Sequence, residues 1–100
     1  KNLSIINSVE AGKIQVRHIL VRTRVKAAEL LSQINAGSDF ALLAKEHSID
    51  GSADVGGNIG FFERGDLHPD FETAAFGLEV GSLSDIIETP VGFHIIQRTN

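Results

Sequence analysis

Residues 13–21, KIQVRHILV, decide how the rest of the chain is read. The β-branched side chains of Ile14, Val16, Ile19 and Val21 favour an extended strand. Alternation puts Ile14, Val16, His18 and Leu20 on one face and Ile19 and Val21 on the other. A strand that is apolar on both faces has to be covered on both, so it belongs at the centre of a sheet.

Working outward, VKAAELLSQINAG (25–37) repeats apolar residues at helical spacing through Ala27, Leu30, Leu31 and Ile34. Gly37 stands where a left-handed carboxyl cap belongs. Ser38 is the expected cap of a second helix, DFALLAKEHS (39–48), with Phe40, Leu43, Ala44 and His47 on one stripe. IDGSADVGGN (49–58) is dense in Gly, Asp and Ser and reads as a loop. IGFF (59–62) is a short strand. Pro69 opens a third helix, PDFETAAFGL, with Phe71, Ala74, Ala75 and Leu78 inward. LSDIIET (83–89) and GFHIIQRT (92–99) read as two strands joined at Pro90-Val91-Gly92. The predicted order is βααβαββ, an α+β domain with a small, mainly antiparallel four-stranded sheet and three helices.

One hundred residues make one domain. Apolar residues at 42% and charged residues at 22% describe a folded globular chain, and a net charge of −4 argues against a nucleic-acid partner. No apolar run approaches the roughly 18–20 residues that a membrane-spanning helix needs. The absence of cysteine removes thiol catalysis and cysteine-based zinc sites, and is compatible with either side of a membrane. The chain starts at Lys1 and contains no methionine, so it reads as a piece of a longer or processed protein. Residues 1–13 are expected to be a lead-in or the remnant of a neighbouring domain, with 14–100 as the functional domain.

Four histidines, at 18, 47, 68 and 94, are the first place to look for chemistry. They form no metal motif, since H-x-x-x-H and H-E-x-x-H spacings are missing. His47 reads as a surface residue at a helix end, and His68 as a rim residue before Pro69. His18 and His94 each lie within a strand among aliphatic neighbours, and on adjacent strands they can meet. On spacing alone they read as two buried histidines, which demands hydroxyl or carboxylate partners nearby. Ser48, Ser52, Ser82 and Ser84 stand in no nucleophile elbow, and the glycines of 56–60 form no phosphate loop.

Taken together, VRHILV (16–21), GSDFALLAKEHSID (37–50), GGNIGFFERGDL (56–67), FETAAFGLEVGSLSD (71–85) and ETPVGFHIIQRT (88–99) resemble the parvulin family of peptidyl-prolyl cis–trans isomerases. Five runs stand in family order, with family-like gaps, from residue 14 to the end. The resemblance implies isomerisation of X-Pro bonds in unfolded or extended polypeptides by a monomeric domain with no cofactor. It implies that His18 and His94 are the family's paired core histidines and that Thr89 is the hydroxyl bonded within that pair. Asp50 falls where parvulins carry cysteine or aspartate facing the substrate bond. Ile59, Leu67 and Phe71 match the apolar wall that accepts the proline ring, and Phe61 is expected to flank the same shelf. Ser48 matches a family serine near the site.

A formal charge beside the substrate carbonyl would be repulsive, so Asp50 is expected either to be protonated or to act through water. The histidine pair is expected to orient and tune the site, not to attack. Phosphate-directed parvulins carry a long basic loop between the first strand and the first helix. Only Arg22, Thr23 and Arg24 stand there, so the chain is expected to need no phosphate and to prefer apolar or neutral residues before proline. The resemblance to bacterial secretion foldases implies an extracytoplasmic home, in a periplasm or cell envelope. Two rival readings remain: a parvulin-like module that binds unfolded chains with poor turnover, and a purely structural domain of a larger enzyme.

Overall fold

Both apolar faces of the 13–21 stretch are buried in the computed structural model, which describes residues 12–100. The stretch forms β1 (Ile14–Val21), followed by α1 (Arg24–Asn35) and α2 (Phe40–His47). A short 3-10 helix, Gly51–Val55, leads into β2 (Asn58–Phe62). Then come α3 (Pro69–Phe76), β3 (Ile87–Thr89) and β4 (Gly92–Arg98). The sheet is antiparallel throughout, in the order β2-β1-β4-β3, so β1 is central as its two-faced pattern requires. Residues 1–11, which carry most of the expected lead-in, lie outside the described residues.

The alternation of β1 splits the interior into two cores. Ile19 and Val21 pack with Ala27, Leu30, Phe40, Leu43 and Ala44, so α1 and α2 cover one face. Ile14 and Val16 pack with Phe62, Phe71, Ala75 and Ile96, so α3 covers the other. The histidines point toward the α3 side, which is why the site forms there.

Several boundaries differ from the sequence reading, each for a local reason. Asp39, not Ser38, caps α2, its carboxylate accepting from the Leu42 amide at 3.0 Å. The 49–58 loop contains the 3-10 helix, which Asp50 caps by accepting from the Ser52 amide in its first turn. The expected strand over 83–89 is regular only from Ile87. Its early part leaves the ladder because the Ser84 hydroxyl accepts the Ile96 amide at 2.9 Å, in place of a backbone carbonyl. Leu83 keeps a single bridge to Gln97.

The start of β1 lies beside the end of the chain. The Gln15 amide donates to the Asn100 carbonyl at 3.1 Å, and the Thr99 amide donates to the Gln15 carbonyl at 2.9 Å.

Candidate active site

β1 and β4 pair so that Leu20 faces His94 and Ile96 faces His18. The two histidines are therefore diagonal neighbours on one face, within reach of each other. Their Nδ1 atoms are 3.2 Å apart and their rings lie nearly parallel, 5.3 Å between centroids. Both are buried. Thr89, at the end of β3, places Oγ1 at 2.7 Å from His94 Nε2. The partners demanded by burial are thus present on one side of the pair.

On the other side stands Asp50. The Ser48 hydroxyl accepts from the Leu20 amide at 3.0 Å and from the Asp50 amide at 3.3 Å, and the Ile49 amide donates to the Leu20 carbonyl at 2.8 Å. These bonds pin the end of α2 to β1 and deliver the Asp50 carboxylate to within 3.1 Å of His18 Nε2. That contact is close but off the N–H line, so His18 Nε2 has no well-aligned hydrogen-bond partner. Gly57 completes the support: its carbonyl accepts the His18 amide at 2.9 Å, and a Cβ on it would fall 2.3 Å from the His18 carbonyl oxygen. Only glycine permits that approach, and at its φ of +87° only glycine is unstrained.

Partial burial raises the Asp50 pKa, but the Ser52 hydroxyl and amide outweigh it together with His18, leaving the carboxyl at about 2. The Ser52 hydroxyl donates to Asp50 Oδ2 at 2.5 Å and the Ser52 amide at 2.9 Å. Asp50 is therefore ionised near neutral pH, which removes the protonated form from the two alternatives left by the sequence. Burial lowers His94 to about 4, with His18 pushing the same way, Asp50 opposing and His68 adding a little, so this imidazole is neutral.

An ionised carboxylate can only accept, so the proton of His18 belongs on Nε2. In the singly protonated His18 ring Nδ1 is bare and accepts from His94 Nδ1–H. His94 Nε2 is bare in turn and accepts from the Thr89 hydroxyl. The Val91 amide donates to Thr89 Oγ1 at 3.4 Å, which leaves the hydroxyl proton free for His94, consistent with that direction.

Above the pair opens a cavity of about 260 Å³, lined by His18, His94, Thr89 and Asp50 on its polar side. Its apolar wall comes from Ile59, Phe62, Leu67 and Phe71, with His68 and Val91 completing the rim. The Phe71 ring stands nearly perpendicular to both imidazoles, with centroids 5.4 Å from the His18 ring and 5.2 Å from that of His94. It is also 4% exposed and belongs to the α3-side core, so it serves packing as well as the cavity.

Seven of the eight residues expected at the site therefore converge, and Phe61 does not. Phe61 is 48% exposed and Phe62 takes the place in the wall. Simple alternation would set Ile59 and Phe61 on one face. The pairing of Gln15 with Phe61 and of Arg17 with Asn58 leaves Ile59 and Gly60 opposite Val16 alone, a bulge at Gly60 with φ +77°. The extra residue turns Ile59 and Phe62 to the same side. His68 was expected only at the rim, yet its Nδ1 also accepts from the Asp70 amide at 3.1 Å and caps α3. The sequence signal for that role is its place immediately before Pro69. Among the described residues no group of three His, Asp or Glu side chains could hold a metal ion.

A fold of this topology over a paired-histidine cavity defines a class, and comparison with known families agrees. Residues 11–100 match the model of the PPIC-type peptidyl-prolyl isomerase (rotamase) domain. The chain belongs to this family, the parvulins. A foldase protein PrsA of Halalkalibacterium halodurans is 44% identical over 89 residues, covering 88% of this chain and 27% of the relative. The crystal structure of PrsA from Bacillus subtilis superposes with a TM-score of 0.89 at 39% identity, covering 100% of this chain and 40% of the other. A Campylobacter jejuni structure is described for the virulence factor PEB4 and the periplasmic protein Cj1289 as SurA-like chaperones. It superposes at 0.83 with 33% identity, covering 88% of this chain and 38% of that one. The chain thus spans about a quarter of the first foldase's length and well under half of the two solved chains. No helix among the described residues is long and apolar enough to cross a membrane.

Proposed function

We propose that this domain catalyses rotation about X-Pro bonds in unfolded or extended polypeptides, as the isomerase module of an extracytoplasmic foldase, and does so as a monomer without a cofactor. The observation that carries the reading is the cavity itself: an apolar wall of Ile59, Leu67 and Phe71 set against the polar chain Thr89–His94–His18–Asp50. The foldase name of the PrsA relatives and the periplasmic chaperone among the similar structures support the address.

The reaction breaks no covalent bond, so it needs neither nucleophile nor leaving group. Its barrier is rotation about a partial double bond, ~18–20 kcal/mol, and uncatalysed X-Pro exchange takes tens to hundreds of seconds. Twisting the amide ends its resonance and lowers its charge separation. A dry apolar seat for the proline ring favours that less dipolar arrangement over the planar one. His94, neutral, holds a fixed dipole beneath the seat, with the His18 ring stacked beside it. Asp50 keeps the proton of His18 on Nε2 and acts on the substrate through this chain.

The same charge bears on specificity. An ionised carboxylate at the cavity disfavours a phosphate dianion before proline. Thr23 caps α1, accepting from the Lys26 amide at 3.1 Å, so only Arg22 and Thr23 separate strand from helix. Arg24 is already committed, lying over the Phe93 ring at 5.2 Å and 3.9 Å from Glu88. The domain accordingly prefers apolar or neutral residues before proline.

Matched peptides carrying Ala-Pro, Leu-Pro, Glu-Pro and phosphoserine-Pro test both parts. Turnover of Ala-Pro and Leu-Pro with a penalty for phosphoserine-Pro is expected. Binding with no turnover of any peptide would favour the holding module instead, and faster turnover of the phosphopeptide would overturn the specificity.

A further inference from the structure

We propose that Glu72 is a positioning residue for the isomerase cavity, its carboxylate holding the 65–68 segment so that Leu67 stays in the apolar wall. The inference rests on the reading of this cavity as the proline seat.

Leu67 has a problem that its fellow wall residue Phe71 does not. Phe71 is 4% exposed and is locked by packing, whereas Leu67 is 38% exposed. Burial alone cannot fix so open a side chain, because much of its apolar surface stays wet. Its position has to be set through the backbone. Residues 63–68 belong to no strand or helix. Within the segment, the Asp66 amide donates to the Glu63 carbonyl, and the Glu63 amide to the Asp66 carboxylate.

Among the described residues, the segment's hydrogen bonds to the rest of the domain run to α3. Glu72 supplies the strongest of them. Its Oε1 accepts from the Gly65 amide at 2.9 Å, and its Oε2 accepts from the Gly65 amide at 3.0 Å and the Leu67 amide at 2.7 Å. Bonds from amides to an ionised carboxylate are short and roughly twice as strong as neutral ones. Glu72 is only 6% exposed, and the Gly65 and Leu67 amides hold its pKa below the ordinary carboxylate value against the opposing effect of burial. The residue follows Phe71 directly on α3. One helical turn therefore supplies part of the apolar wall with its own ring and anchors another part of it through a carboxylate. His68 adds a second tie by capping the same helix.

A merely structural carboxylate would affect stability without touching substrate recognition. Glu72→Gln preserves size but removes the charge that strengthens these bonds and sets an NH2 donor where the second oxygen accepted from the Gly65 amide. Glu72→Gln should raise KM for an Ala-Pro or Leu-Pro peptide by about five-fold or more, with a smaller change in kcat. In a Leu67→Ala background the same substitution should add little, because the side chain it positions is already gone. Full additivity of the two changes, or a parental KM in Glu72→Gln, would overturn the proposal.

Two further measurements keep the test decisive. In the unmodified protein the Gly65 and Leu67 amides should exchange slowly with solvent in spite of lying in a surface segment; fast exchange at both would remove the anchor whether or not the variant folds. Adding the peptide to the unmodified protein should shift the resonances of Leu67 and Phe71. Turnover without any such shift would mean that the cavity is not the proline seat. That failure would be distinct from an intact seat to which Glu72 contributes nothing.

Discussion

His18 Nδ1 and His94 Nδ1 face each other at 3.2 Å, so one ring must give a proton and the other must be without one. Since Asp50 is ionised and Thr89 closes the far end, the direction of the whole chain follows from its two termini.

Removing a terminus should therefore be felt along the chain. Thr89→Val keeps the shape of the side chain but leaves His94 Nε2 buried without a donor, a loss of about 1–3 kcal/mol. Thr89→Ser should restore most of it. Side-chain nitrogen resonances of the histidines should show a single tautomer in the parent and in Thr89→Ser, and a mixture in Thr89→Val. A single unchanged tautomer in the valine variant would mean that Asp50 alone sets the direction.

Asp50 carries two duties that a pair of substitutions can separate. It caps the 3-10 helix through Ser52 and sets the His18 proton through its charge. Asp50→Ala removes both, with about 1 kcal/mol lost from the missing cap. Asp50→Asn keeps a good capping group and removes the charge. It should melt near the parent temperature while its turnover falls toward that of the alanine variant. Parental turnover in Asp50→Asn would show that the charge has no part in catalysis.

The low pKa of His94 gives stability a pH slope of known sign. Its folded value of about 4 lies below the 6.5 of an unperturbed imidazole, so between these values the unfolded chain binds more protons. Its contribution is complete above pH 6.5 and is lost as pH falls to about 4, on the order of 3 kcal/mol in all. Asp50 acts lower, its contribution fading only between the ordinary 3.8 and about 2. Thermal melts between pH 4 and 7 should show the slope in the parent and a flatter one in His94→Gln. Equal slopes would assign it to other groups.

Phe71→Ala should damage both the fold and the site. Because the ring belongs to the α3-side core, its truncation costs about 3–5 kcal/mol. The lost wall should lower kcat/KM ten-fold or more, about 1.4 kcal/mol in transition-state stabilisation. Phe71→Leu fills most of the volume and should recover much of the stability, while the perpendicular aromatic contact with both imidazoles stays absent. An efficiency that recovers fully with leucine would show that volume matters here and aromaticity does not.

How much of this the sequence disclosed depended on the range of the interactions. The double-faced pattern of KIQVRHILV was enough for a central strand, and helical periodicity with local caps placed α1, α2 and α3 to within a few residues. The paired histidines, Thr89, Asp50 and three wall residues were reached through motifs whose register carries over. Phe61 and Phe62 exchanged places because a bulge is a property of two strands together, and neither strand alone announces that Gly60 will be the extra residue. The late start of β3 has the same origin: a serine hydroxyl substitutes for a carbonyl only once Ile96 lies opposite. Glu72 escaped notice because an acid near a helix start ordinarily reads as a dipole partner. Its true partners precede the helix.

The meeting of Gln15 with Thr99 and Asn100 has a mechanical consequence. β1 and β4 run antiparallel, and the two ends of the described chain sit at the same end of that ladder. Tension applied across those ends would load the outermost bonds first and peel the strands apart one bond at a time, since the ladder is pulled open like a zip and not slid along its length. A pulling experiment on this chain should accordingly find a soft domain, yielding at low force despite its central, largely buried β1. Attached instead through β2 and β4, the same sheet would resist in shear.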